Sequence, residues 1–155
     1  MQINTANAAQ AEAITMLINS AFRKAESFFI EGDRIDVVSI RALMEKGQFL
    51  VVDEAAQLRA CVYVERRGER AYLGLLAVDS QLQNSGIGSA LMNAAEDQCR
   101  QDGCCFMDLK IVNLRTDTHR FYTRRGYKET GTEPFPSHLT PKLPCHFVTM
   151  SKPLG

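Results

Sequence analysis

The stretch 73–93, LGLLAVDSQLQNSGIGSALMN, constrains this chain most. An apolar run of strand type leads into a short polar turn with two glycines, and residues at helical spacing follow. That order aims a row of backbone N–H groups and the positive end of a helix dipole at one spot. Such a spot binds phosphate. Gly86 and Gly88 remove side chains where backbone must approach a ligand closely, and Gln83, Asn84 and Ser85 add side-chain donors. Two better-known phosphate loops lack their parts here. A Walker loop needs a Lys before its Ser or Thr, and Ser89 follows Gly88 instead. A dinucleotide fingerprint needs a small residue three positions past its second glycine, where this chain has Leu91.

Hydrophobic periodicity places the turn within a single domain over 1–155. Helices are predicted over 8–24, 34–46, 85–102 and 116–125, with Gly47, Gly103 and Gly126 as stops. Strands are predicted over 49–53, 58–66, 70–78, 104–112, 127–130 and 146–151. Gly68 links the second and third strands as a hairpin, and 133–144, with four prolines, is a loop. The order is ααβββαβαββ. The central strand–helix–strand unit should be parallel and right-handed, while closely linked strands pair antiparallel. A mixed α/β sheet with helices on both faces results.

Composition narrows the partners. The formal net charge is zero, so a nucleic-acid partner is not expected. The N-terminal residues 1–7 carry neither a basic run nor a long apolar one, which predicts no secretory signal and no membrane span. The five cysteines are odd in number and lack a Cys-x-x-Cys pair. They read as buried or semi-buried thiols in a reducing, cytoplasmic setting, with no metal site.

Gln83-x-x-Gly86-x-Gly88, after a strand ending Leu75-Leu-Ala-Val78, resembles the acyl-CoA signature of the GNAT superfamily of N-acyltransferases. A second block, Leu109-Lys-Ile-Val-Asn113 followed by Phe121-Tyr122-x-x-x-Gly126-Tyr127, is similar to that family's next strand and helix end. The closing segment 147–154 resembles its last strand, so the likeness spans essentially the whole chain. It implies a mostly antiparallel sheet with a central parallel pair, splayed between the family's fourth and fifth strands. The pantetheine arm of acetyl-CoA would lie in that gap. Backbone groups of Leu76, Ala77 and Val78 would pair with the arm, and Gln83, Asn84, Ser85, Gly86, Ile87, Gly88 and Ser89 would hold the pyrophosphate. Asn113 and Phe121 would contact the cofactor, and Tyr122 would lie near the thioester sulfur.

The implied reaction is direct attack of a primary amine, from a small molecule or a peptide, on the thioester in a ternary complex. The Val78 N–H would stabilise the oxyanion, and Tyr122 would act as general acid toward the departing thiolate. No acid stands in 71–78, where several relatives keep a catalytic Glu. Glu65 is the named base, with Glu31, Asp33 or a water chain as alternatives. Arg125 or Arg124 would reach the cofactor phosphates. Glu26, Phe28, Phe29, Arg34 and His138 would border the acceptor. Two other readings keep the fold: a longer acyl-CoA donor, or a CoA-binding regulatory module without catalysis. Relatives suggest a homodimer.

Overall fold

Period-two alternation in the middle of the chain builds a sheet that is buried on both faces. The computed structural model describes residues 2–155, so Met1 of the segment read for targeting signals lies outside the described residues. The elements are β1 (Ile3–Thr5), α1 (Ala11–Glu26), α2 (Val37–Lys46), β2 (Gln48–Glu54), β3 (Gln57–Arg67), β4 (Arg70–Val78), α3 (Ile87–Gln101), β5 (Phe106–Val112), α4 (Thr116–Arg124), β6 (Lys128–Pro134) and β7 (His146–Pro153). Short 3-10 turns at Ala8–Gln10 and Ser80–Leu82 precede α1 and α3. One seven-stranded sheet runs β1-β2-β3-β4-β5-β7-β6. Among the described residues only β4–β5 is parallel.

In β2, Leu50 and Val52 face one cluster with Leu91, Met92 and Ala95 of α3, while Phe49 and Val51 face Ile14, Ile18 and Ile40 of α1 and α2. Tyr122 of α4 joins the α3 side. The predicted mixed sheet with helices on both faces is therefore what forms. Several boundaries differ. β1 was not expected; it pairs with β2 from Ile3↔Val52 to Thr5↔Leu50. A three-residue strand is too short to show a period, and its partner decides it. Residues 8–10 are a separate 3-10 turn, so α1 starts at Ala11 and runs on to Glu26. β6 continues to Pro134 because β7 pairs with it as far as His146. Cys61, Cys99 and Cys104 are buried, Cys145 is half-buried, and Cys105 is exposed against expectation. All five are free, and burial pushes the Cys61 and Cys99 thiols up to about 12. Among the described residues no helix is long and apolar enough to cross a membrane.

The sheet opens in its centre. β4 pairs with β5 only through Arg70↔Phe106, Ala71↔Met107 and Tyr72↔Asp108, whereas β5 pairs with β7 along its whole length. At the closed end, Arg70 donates to both Asp108 oxygens at 2.7 Å and to Ser151 Oγ at 3.0 Å, tying β4, β5 and β7 together. Beyond it, β4 bulges. Cys61 faces Ala77 and Tyr63 faces Gly74, so Val62 stands opposite both Leu75 and Leu76. Leu75 adopts φ +54, a left-handed conformation unusual for leucine. The bulge slips the alternation by one residue: Ala71 and Leu73 face α3, then Leu75 faces α1, and Leu76 and Val78 face α3 again.

The hydrogen bonds from Arg70 hold the Asp108 carboxyl below its ordinary value of 3.8. A depressed folded value stabilises the fold above the unfolded value, and that contribution is lost as pH falls through the folded one. The pair is partly exposed, which limits it to about 0.5–1 kcal/mol. Urea unfolding should find Asp108→Asn less stable than the parent by about that amount at pH 7, with the difference closing toward pH 3.

Candidate active site

The parting of β4 and β5 leaves two cavities that share one wall. The larger, about 820 Å³, lies among the C-terminal end of β4, the turn 80–86, the start of α3, α1 and α4. The smaller, about 280 Å³, lies between β4 and β5 and reaches the loops 34–35 and 136–139. Phe22, Leu76, Arg115, Thr118 and Tyr122 line both.

The expected phosphate turn lines the larger cavity from Gln83 to Ser89. The first bond of α3 runs from Ala90 N–H to Gly86 C=O at 3.0 Å. The N–H groups of Ile87, Gly88 and Ser89 are thus left without helical partners, at the positive end of the helix dipole. Gly86 caps the helix at φ +88, where a side chain would be strained. Gly88 has a different reason to be glycine. Its φ is unexceptional, and an added Cβ would meet only Val78 and Phe121 at 3.8 and 3.9 Å. The fold has room for that methyl group, so packing within the chain does not require glycine there. The side chains of Gln83 and Ser85 are used within the turn, contrary to their expected part as free donors. Gln83 Nε2 donates to Val78 C=O at 2.9 Å, and Ser85 Oγ donates to Leu82 C=O. Lys24, Arg115, Arg120, Arg124 and Arg125 line the same cavity with one acid, Asp117, although the whole chain is neutral. Arg125 is held by Asn93 Oδ1 at 2.6 Å and Glu96 at 3.6 Å, and its buried Nε has no partner among the described residues.

The edge of β4 is open toward the gap. Asp79 N–H donates to Arg59 C=O at 2.8 Å. Alternation along the ladder then turns the backbone groups of Val78 away from β3, as its carbonyl bond to Gln83 also shows. Ala77 faces Cys61 in the ladder, so its backbone is turned toward β3. Tyr122 is buried on the shared wall, stacked edge-on against Phe121 and Tyr127. Its hydroxyl has no hydrogen-bond partner among the described residues. Burial raises its pKa, so the phenol keeps its proton.

Glu26, on the smaller cavity, is buried between two arginines. Arg34 Nη1 donates to its Oε1 at 2.6 Å and Arg115 Nη1 to its Oε2 at 2.9 Å. Arg115 is completed by two 3.0 Å bonds to Asp117. His138 also lines this cavity, with Tyr63, Tyr72 and Lys110.

Other expected residues lie elsewhere. Glu65 lines neither cavity. It accepts from Arg67 Nε and from Tyr63 Oη, the latter at 2.7 Å, and the Arg67 bond foremost keeps its pKa low, which suits a structural anion rather than a base. Asn113 Oδ1 accepts from His146 N–H at 2.9 Å, so its carboxamide fastens β7 instead of facing the cavity. Phe29 is fully buried with Ile30, Val112 and Phe147, and Phe28 packs on it at 4.7 Å from the exposed side. Asp33 pairs with Arg23 at the surface. Sequence reasoning missed Arg115, Tyr63, Tyr72, Lys110 and the Leu75 bulge. No local pattern marks them, since the Glu26–Arg115 bond joins residues 89 apart.

The Acetyltransferase (GNAT) family profile matches residues 12–127. The chain belongs to that family. The aminoalkylphosphonate N-acetyltransferase of Salmonella typhimurium is 40% identical over 55 residues, 36% of each chain. The protein YdhI of Bacillus subtilis is 27% identical over 86 residues, 56% of this chain and 52% of that one. The matched stretches thus span about half the length of these curated relatives or less. Among solved structures, an aminoglycoside 6'-N-acetyltransferase complexed with coenzyme A superposes with TM-score 0.78 at 17% identity, over 100% of this chain and 98% of that one. At that identity the likeness is one of fold. GNAT proteins bind acyl-CoA, and the donor set of the larger cavity fits such a ligand: free N–H groups for a diphosphate, and cations around them.

Gly88→Ala separates fold from ligand. Thermal unfolding should show an unchanged or higher Tm, because alanine gains up to ~1 kcal/mol over glycine in a helix. Calorimetry should show coenzyme A affinity lower by at least about tenfold, or 1.4 kcal/mol.

Proposed function

We propose that this chain transfers an acetyl group from acetyl-CoA to a primary amine of a small molecule, by direct attack in a ternary complex. One observation carries the reading. Tyr122, whose hydroxyl has no hydrogen-bond partner among the described residues, lines both the cation-lined cavity and the smaller one.

The cofactor's diphosphate would rest on the N–H groups of Ile87, Gly88 and Ser89, with Arg124 and Arg125 nearby. Its extended arm would pair with the gap-facing backbone of β4, which puts the thioester near Leu76, a residue of both cavities. The acceptor would enter from the smaller cavity. Bond formation between its nitrogen and the carbonyl carbon turns the carbonyl oxygen into an oxyanion. The gap-facing Val78 N–H supports stabilisation of that charge. As the oxyanion re-forms the carbonyl, the carbon–sulfur bond breaks, the sulfur takes the electron pair and a proton from Tyr122, and the nitrogen, cationic since bond formation, gives up a proton that returns the Tyr122 phenolate to phenol. The Tyr122 phenol is protonated, as a donor must be, and because burial raises its pKa the transfer waits on the charge that builds on sulfur.

The base is absent from the expected place. The acids lining the two cavities, Glu26 and Asp117, are both tied to arginines. Proton loss from the incoming ammonium therefore goes to water, and no protein carboxylate is assigned to it.

Tyr122→Phe keeps the ring packing and removes the proton. Free-thiol release under saturating acetyl-CoA should show kcat lower by about 100-fold, with KM for acetyl-CoA changed by less than about twofold. An unchanged kcat would remove Tyr122 from the mechanism.

A further inference from the structure

The smaller cavity holds a cation that the described residues satisfy only in part. Arg34 gives one nitrogen, Nη1, to Glu26. Its Nε and Nη2 have no partner among the described residues, and neither is sealed away from solvent. The guanidinium side chain is nonetheless only 15% exposed. It lies 5.5, 5.6 and 5.9 Å from the ring centres of Phe22, Phe135 and Phe147. Its backbone is fixed too, because Arg34 N–H donates to Asn19 Oδ1 at 2.9 Å.

A second cation shares one of those rings. Lys110 Nζ sits 4.7 Å from the centre of Phe147 and lines the same cavity. Its nearest carboxylate, Glu133, is 3.6 Å away and half exposed. Two like charges standing against one ring repel each other. Glu26 and Asp117 balance Arg34 and Arg115 in formal charge, so what the cavity offers an anion is the unused Nε and Nη2 donors of Arg34. An anion entering the cavity would take the open edge of Arg34 in the forked geometry that suits carboxylate and phosphonate oxygens.

We propose that the acceptor is a small amine that also carries an anionic group, held by Arg34 with Lys110 while the nitrogen faces the shared wall. This rests on the acetyl-transfer reading above and names the substrate class of that site. The cavity, about 280 Å³, has room for a small amine.

The test titrates coenzyme A into the protein, then titrates the saturated complex with β-alanine, 2-aminoethylphosphonate, propylamine and putrescine by calorimetry. Thiol release with acetyl-CoA follows on the same amines. Both anionic amines should bind at least about tenfold tighter than propylamine, the size of one hydrogen bond to a charged group. Whichever is preferred tells a planar anion from a tetrahedral one. Arg34→Met should collapse that ratio to within about threefold with coenzyme A affinity kept, because Arg34 is absent from the larger cavity. Lys110→Met leaves the Glu26 pair intact and should lower the ratio by about threefold or more, so the idea stays testable if Arg34→Met folds poorly. Coenzyme A binding without preference for the anionic amines, or a preference for putrescine, overturns this inference alone. No coenzyme A binding overturns the acetyl-transfer reading and this with it.

Discussion

The separation of β4 from β5 beyond Tyr72 and Asp108 is the constraint on which the site depends. Two strands that start as neighbours and then part leave facing edges of N–H and C=O groups without partners. Such groups must be met by water or a ligand. The chain fixes the parting from both sides. Arg70 clamps the closed end to Asp108 and Ser151, and β7 holds β5 along its length. On the other side β3 holds β4 through its bulge, so β4 bends away without leaving the sheet. Leu75 bears the backbone cost of that bend, of order 1–3 kcal/mol for a residue in a sparsely populated region.

Local features were legible in the sequence, and long-range ones were not. The turn from Gln83 to Ser89 could be read because a strand, two glycines and a helix are contiguous, and the cavity lies along them. Tyr122, read from the Phe-Tyr-x-x-x-Gly block, lines the same cavity. Glu65 looked free as an isolated acid on a strand; two neighbours on that strand, Tyr63 and Arg67, occupy it once the side chains fold over. Phe29 looked like a loop aromatic until β5 and β7 supplied Val112 and Phe147 to bury it. Asn113 ends its strand as the resemblance implied, but its amide is taken by the incoming β7. Each of these depends on a partner that the local pattern does not name.

Glu26 shows how the two cavities are joined mechanically. A buried carboxylate is costly alone and tolerable only when its oxygens are both met. Here one oxygen meets Arg34 from the loop before α2, and the other meets Arg115 from the turn before α4. The end of α1 is thereby tied to elements on either side of the gap. Arg115 also lines both cavities, so one guanidinium belongs to both compartments.

The gathering of Lys24, Arg115, Arg120, Arg124 and Arg125 at one mouth has an effect at longer range. In a molecule whose formal charges cancel, positive charge collected at one place leaves the remaining surface net acidic. The protein is therefore an electric dipole with its positive pole at the larger opening. Its field turns an approaching polyanion toward that pole before contact, over a distance set by the Debye length of ~8–10 Å at ordinary salt. Encounter with a phosphate-rich molecule is oriented, and added salt slows it without altering the fold.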